Sequence, residues 1–127
     1  MTQRGPAGFT VVELLIVLAI IGLLATIAIP KFSSSRDKAL VAAMKSDLRN
    51  LLTQQEGRMA DSGSYTTSFP TTIWSPSTGV TGPTITLTAD GWTASVGHTE
   101  TTRTCAIFVG ATPLAPAIKE GVPTCTP

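Results

Sequence analysis

Residues 8–30 read GFTVVELLIVLAIIGLLATIAIP, and this stretch organises the rest of the chain. Leu, Ile, Val and Ala fill it, and the single ionisable side chain inside it is Glu13. About twenty apolar residues in one helix suffice to cross the hydrocarbon core of a bilayer. A carboxylate in such a run costs about 2.5–3.5 kcal/mol at a helix centre on insertion scales. Glu13 therefore marks either a membrane edge within reach of water or a partner. An ordinary secretory signal fits poorly. Its apolar core would span about 7–15 residues before a small-residue cleavage site, whereas this run is longer, holds Glu13, and offers only a poor site near Ala28.

Beyond Pro30 the apolar pattern changes. From residue 38 to residue 60 the apolar residues are Leu40, Val41, Met44, Leu48, Leu51, Leu52 and Met59. Their steps of three and four make one stripe of a 3.6-residue helix, with Lys38, Lys45, Arg49 and Glu56 off it and Gln55 interrupting it. Pro30 separates a half that is apolar all round from a half that is apolar on one side. A kink at Pro30 joins them better than a break, and Asp61, Ser62 and Gly63 mark the end of the helix. The first half needs lipid or other helices around it, while the second needs only a local sheet.

Residues 64–83 carry Pro70, Pro76, Gly79, Gly82 and Pro83, which favour a loop. Tyr65, Phe69, Ile73 and Trp74 make it too apolar for a free linker, so they are expected to pack on the helix stripe. Strand alternation follows, with Ile85, Leu87 and Ala89 on one face and then Trp92, Ala94 and Val96. The intervening Asp90-Gly91 is a hairpin signal. A third strand covers residues 104–109, and Pro113, Pro116 and Pro123 suggest a tail that wraps. The sheet is thus three-stranded and antiparallel, with room for one more edge strand. Laid on the amphipathic half-helix, it gives a small α+β head with one core. Cys105 and Cys125 are the chain's 2 cysteines. They are either separate buried thiols or a disulfide, and a small head with a proline-rich tail gains from such a staple. Closing a loop of about twenty residues stabilises by around 3 kcal/mol in the chain-entropy treatment.

The 127 residues suit one domain plus the first helix, and a net charge of +1 gives no electrostatic reason to expect a nucleic-acid partner. No phosphate-binding loop, paired metal ligands or nucleophile elbow is present, so no catalytic residue, metal site or cofactor is assigned. The lone His98, beside Gly97, is expected to be a solvated turn residue. Trp74 and Trp92 are expected in the core or on the sheet face.

The junction Gly8-Phe9-Thr10, with Glu13 at the fifth position counted from Phe9 before an unbroken aliphatic run, resembles the processing signature of type IV prepilins and type II secretion pseudopilins. Gly22 and Pro30 match the helix-weakening positions of that family. The leader departs from the pattern in having no Lys and in carrying Pro6. The resemblance implies a leader over residues 1–8, cleavage after Gly8 by a prepilin peptidase, N-methylation of Phe9, and an assembly role for Glu13. It implies helix-kink positions at Gly22 and Pro30, and a Cys105–Cys125 disulfide pinning the tail. It further implies a type IV pilin-like fold: a membrane and filament-core helix over residues 9–30, then a head over residues 31–127. The head divides into amphipathic helix 31–60, connection 61–83, and sheet with tail 84–127. The expected function is a structural subunit of a pilus-like helical homopolymer. The precursor would sit in the inner membrane, head outside the cytoplasm, and be drawn into the filament by a membrane assembly platform. A type II secretion pseudopilin is the first alternative, and a membrane-anchored periplasmic protein that never polymerises is the second. The flanking charges, Lys31, Arg36 and Lys38 after the run against Arg4 before it, would by themselves favour the opposite orientation. The cysteines and the resemblance argue for the outward head.

Overall fold

The computed structural model describes residues 8–127, so the expected leader lies outside the described residues except for Gly8. Helix α1 spans Val11–Ser62, and β1 (Val80–Thr88), β2 (Gly91–His98), β3 (Thr101–Val109) and β4 (Thr124–Cys125) follow. The strands form one antiparallel sheet in the order β1-β2-β3-β4. The α+β plan is as expected, and the additional edge strand is β4. Contacts group the chain into two units, Met1–Arg36 and Asp37–Pro127.

Within the first unit, the helical residues from Val11 onward are largely bare. Leu14, Leu18, Ile21, Leu24 and Ile29 are each more than half exposed, and none of the most apolar 18-residue stretch is buried among the described residues. By length and composition this segment can cross a membrane. Pro30 lacks the N–H that a mid-helix position would donate, yet α1 continues through it.

The second unit holds the core. Met44, Leu48 and Leu51 of α1 pack against Trp92, Ala94 and Val96 of β2 and Cys105 and Ile107 of β3, with Trp74 and Val80 closing the side. Register explains why these meet. Trp92 pairs with Val109, Ala94 with Ile107 and Val96 with Cys105, so a two-residue period puts one apolar row from each strand toward the helix. The opposite face is covered too. Ala106 and Phe108 lie under Ala117 and Leu114 of the tail, which corrects the expectation of one core. The tail wraps as expected, and the apolar residues on both faces of β3 show why it must.

Several local expectations change. The two residues between the paired Thr88 and Gly91 are Ala89 and Asp90, so the turn is not Asp90-Gly91. A type I′ turn needs positive φ at both central residues, and no non-glycine residue here has it. Gly91 instead opens β2, where a Cβ would land on the carbonyl of Val109 in β3. Strand β1 begins at Val80, and its pairing shifts register between Thr81 and Thr84, where Gly82 adopts φ 100°. Pro83, with no N–H to donate, is tolerated there because β1 is an edge strand. Ile73 is exposed. In the turn from Pro70 both Ile73 and Trp74 donate to the Pro70 carbonyl, and it is Trp74 that faces the helix. Met59 is also exposed, one turn beyond Gln55, the last buried residue of α1.

Candidate functional site

The site residues expected at the N-terminus gather around the start of α1. Gly8 and Phe9 are exposed, and Phe9 is 75% accessible. Thr10 is the residue before the helix, and its carbonyl accepts the first helical bond from the Leu14 N–H at 3.3 Å. The Thr10 N–H and Oγ1 both donate to Glu13 Oε2, at 2.9 and 2.7 Å. In return the Glu13 N–H donates to Thr10 Oγ1 at 3.2 Å. This is a reciprocal capping box: a Thr and, three residues on, a Glu satisfying each other's otherwise orphaned backbone donors. The carboxylate also sits at the positive end of the helix dipole. Glu13 thus starts the helix with one oxygen, Oε2, and leaves Oε1 without a bond from Thr10. The Thr10-x-x-Glu13 spacing is the sequence signal for this cap.

A family description, the prokaryotic N-terminal methylation motif, matches residues 3–29, which include this junction and most of the apolar run. The type IV major pilin protein PilA of Myxococcus xanthus is 41% identical over 58 residues, 46% of this chain and 26% of that protein. The type IV wide pilus major component PilA4 of Thermus thermophilus is 38% identical over 66 residues, 52% of this chain and 50% of that one. The type II secretion system core protein G of Pseudomonas aeruginosa is 31% identical over 65 residues, 51% of this chain and 46% of that one. The N-terminal part of this chain is thus similar to type IV pilins and to a type II secretion protein. It spans half or less of the length of these curated relatives.

In the head, two polar side chains hold the connection to the head helix, and neither was legible as such. Asp47 is 3% exposed. Its two carboxylate oxygens accept the Ser77 N–H and Ser77 Oγ, each at 2.8 Å, and its carbonyl accepts Trp74 Nε1 at 3.3 Å. Gln55, fully buried, donates through Nε2 to the Thr66 carbonyl at 2.6 Å and accepts the Thr66 N–H at 3.0 Å. The amide thereby replaces a strand neighbour for one residue of loop. The interruption of the apolar stripe by Gln55 is the sequence signal that pointed here.

The disulfide joins Cys105 and Cys125, which face each other across β3 and β4. Thr126 N–H donates to the Thr104 carbonyl and the Thr104 N–H to Thr126 Oγ1, at 2.9 and 3.1 Å, so the tail is pinned on both sides of the bridge. Trp92 is fully buried, with its ring centroid 6.3 Å from that of Tyr65. The Tyr65 hydroxyl donates to Glu56 Oε1 at 3.2 Å. Partial removal from water, then the negative charges of Glu56 and Glu120, push its ionisation above the usual phenol range. His98 is buried at the end of β2 against Gly79, with Nδ1 accepting the Glu100 N–H at 3.1 Å, and so is not the solvated turn residue expected. Among the described residues no group of three His, Cys, Asp or Glu side chains is placed to hold a metal ion.

Proposed function

We propose that the chain is a structural subunit of a type IV pilus-like filament, anchored in the inner membrane by the first half of α1 before assembly. The observation that carries this is a helix that follows the Gly8-Phe9-Thr10 sequence and whose apolar side chains are left exposed among the described residues. Such a surface requires lipid in the precursor and other helices in the product. Cleavage after Gly8 by a prepilin peptidase would release the Phe9 amine, to be methylated, one helical turn from Glu13. The capping box survives that cleavage, because the Thr10 N–H and hydroxyl remain in place. Oε1 of Glu13 is then available to a neighbour's Phe9 ammonium. A partly desolvated charge pair of this kind fixes axial register along an otherwise featureless apolar interface, since leaving either charge unpaired costs about 3–5 kcal/mol. Gly22 and Pro30 are the points where the helix would bend as it leaves the membrane. The head lies outside the cytoplasm in this reading, where Cys105 and Cys125 can remain oxidised.

The 31% identity to core protein G favours a second reading, a pseudopilin of a type II secretion system. Electron microscopy of surface shearings, with N-terminal mass spectrometry of the recovered subunit, tests both. Surface filaments whose subunit starts at methylated Phe9 fit the pilus. Loss of secretion on deletion, without surface filaments, fits the pseudopilus. An assembled subunit starting at Met1 or near Ile29 refutes the processing scheme.

A further inference from the structure

Among the charged side chains of the head unit, two sets of opposite sign stand apart. Lys38, Lys45 and Arg49 follow one another by seven and four residues, within about 40° on a 3.6-residue helix. The buried Met44, Leu48, Leu51 and Gln55 lie roughly a third of a turn away, so the cations line a flank of α1 on which Lys38 and Arg49 are exposed and Lys45 is half-buried. Glu56 lies on the same line seven residues further, where it meets a second set. The Tyr65 hydroxyl binds Glu56, and the Glu120 charge also reaches that phenol. Asp90 lines the same cavity as Tyr65. Backbone N–H groups of Gly110 and Ala111 fix Glu120 and Asp90, at 2.7 and 2.6 Å, without neutralising them. Among the described residues none of these three cations and three carboxylates makes an ion pair. Asp37 offsets part of the first set, and Arg58 and Lys119 part of the second, yet each end keeps its sign. Arg49 and Glu56 are about 10 Å apart along the helix and Lys38 and Glu56 about 27 Å, too far to pair within one chain.

We propose that the cation line Lys38, Lys45 and Arg49 of one subunit receives the carboxylate end of a second copy, formed by Glu56, Asp90 and Glu120. This rests on the filament reading above and names a contact within it. Two unlike patches of opposite sign on one molecule make a head-to-tail interface, which repeats into an open helical array. A two-fold dimer over either patch would instead oppose like charges, which is unfavourable. A copy displaced by roughly 10–27 Å along the helix brings its Glu56 level with one of the three cations. Such a contact selects the axial stagger of the heads, which the apolar half of α1 leaves unspecified.

The test uses the full chain in filament-producing cells, with sheared filaments measured by sedimentation and electron microscopy. Lys45→Glu with Arg49→Glu should lower filament mass by roughly tenfold or more, and so should Glu56→Lys with Glu120→Lys. Co-expressed, the two defective subunits should restore filaments to within about twofold of wild type, because alternation rebuilds opposite charges at each contact. Wild-type filaments should also lose subunits as salt is raised. Near-UV circular dichroism of the detergent-solubilised variants checks that the heads are folded, and if one is not, the wild-type salt series decides. Absence of wild-type filaments removes the reading on which the contact rests. Wild-type filaments with normal yields from the reversed variants overturn the contact alone. Loss without recovery on co-expression also overturns it, as would salt-insensitive filaments. Retained binding of the reversed head to neutral but not to anionic vesicles would then place a lipid surface on the cation line.

Discussion

Removing Asp47 should release the connection from the head helix. The carboxylate is 3% exposed and holds Ser77 through two hydrogen bonds of 2.8 Å, one to each oxygen. Hydrogen bonds to a charged group contribute about 1.5–3 kcal/mol each. Against this stands the cost of keeping a carboxylate out of water, which Asp47→Ala relieves. The exposed Ser77 regains water in the variant. The net loss for Asp47→Ala is therefore about 2–3 kcal/mol, and for Asp47→Asn, which keeps one acceptor oxygen, about 1–1.5 kcal/mol. In a domain of this size each kcal/mol moves the midpoint by about 4–8 °C, so Asp47→Ala should lower Tm by roughly 8–24 °C. Thermal unfolding of the solubilised full chain, followed by near-UV circular dichroism, reads this through Trp74, whose indole bonds the Asp47 carbonyl. Ser77→Ala completes a double-mutant cycle, and the two changes should be coupled by about 1 kcal/mol or more. A Tm within about 3 °C of wild type for Asp47→Ala, or additive single effects, would refute the tether.

Gly91→Ala should destabilise the head by more than about 3 kcal/mol, because the added Cβ meets the Val109 backbone carbonyl and not a movable side chain. Urea titration measures it, and a loss below 1 kcal/mol would contradict the close approach. The single tyrosine, Tyr65, should ionise above the ordinary value of about 10 in a spectrophotometric titration, and Glu56→Gln should bring it down. The sign follows from a folded-state pKa above the unfolded one: this contribution is present below about pH 10 and is lost as pH rises through the folded pKa. Glu13→Gln should leave precursor level and membrane insertion intact while cutting filament number sharply, since the shape remains and the charge is gone. Normal filaments beside an equally expressed control would exclude a register role for Glu13.

The elements whose signal is local could be read from the sequence. The apolar run, the amphipathic stripe, the Gly8-Phe9-Thr10 motif and the strand alternation all depend on residues a few positions apart, where backbone geometry alone sets which side chains share a face. The disulfide was an option there, and register made it a fact by setting Cys105 opposite Cys125. The Thr10–Glu13 cap was equally local. What tertiary structure decided lies at long separation. Asp47 meets Ser77 across 30 residues and Gln55 meets Thr66 across 11. A buried carboxylate or amide in an apolar stripe reads as a flaw until its partner arrives. Gly91 looked like half of a turn because Asp-Gly favours one, and only the neighbouring strand reveals that its missing Cβ is the point. The choice between Ile73 and Trp74 for the core, and the burial of His98, likewise depended on which surface came to meet them. Periodicity fixes the face a residue occupies, and packing alone fixes what that face touches.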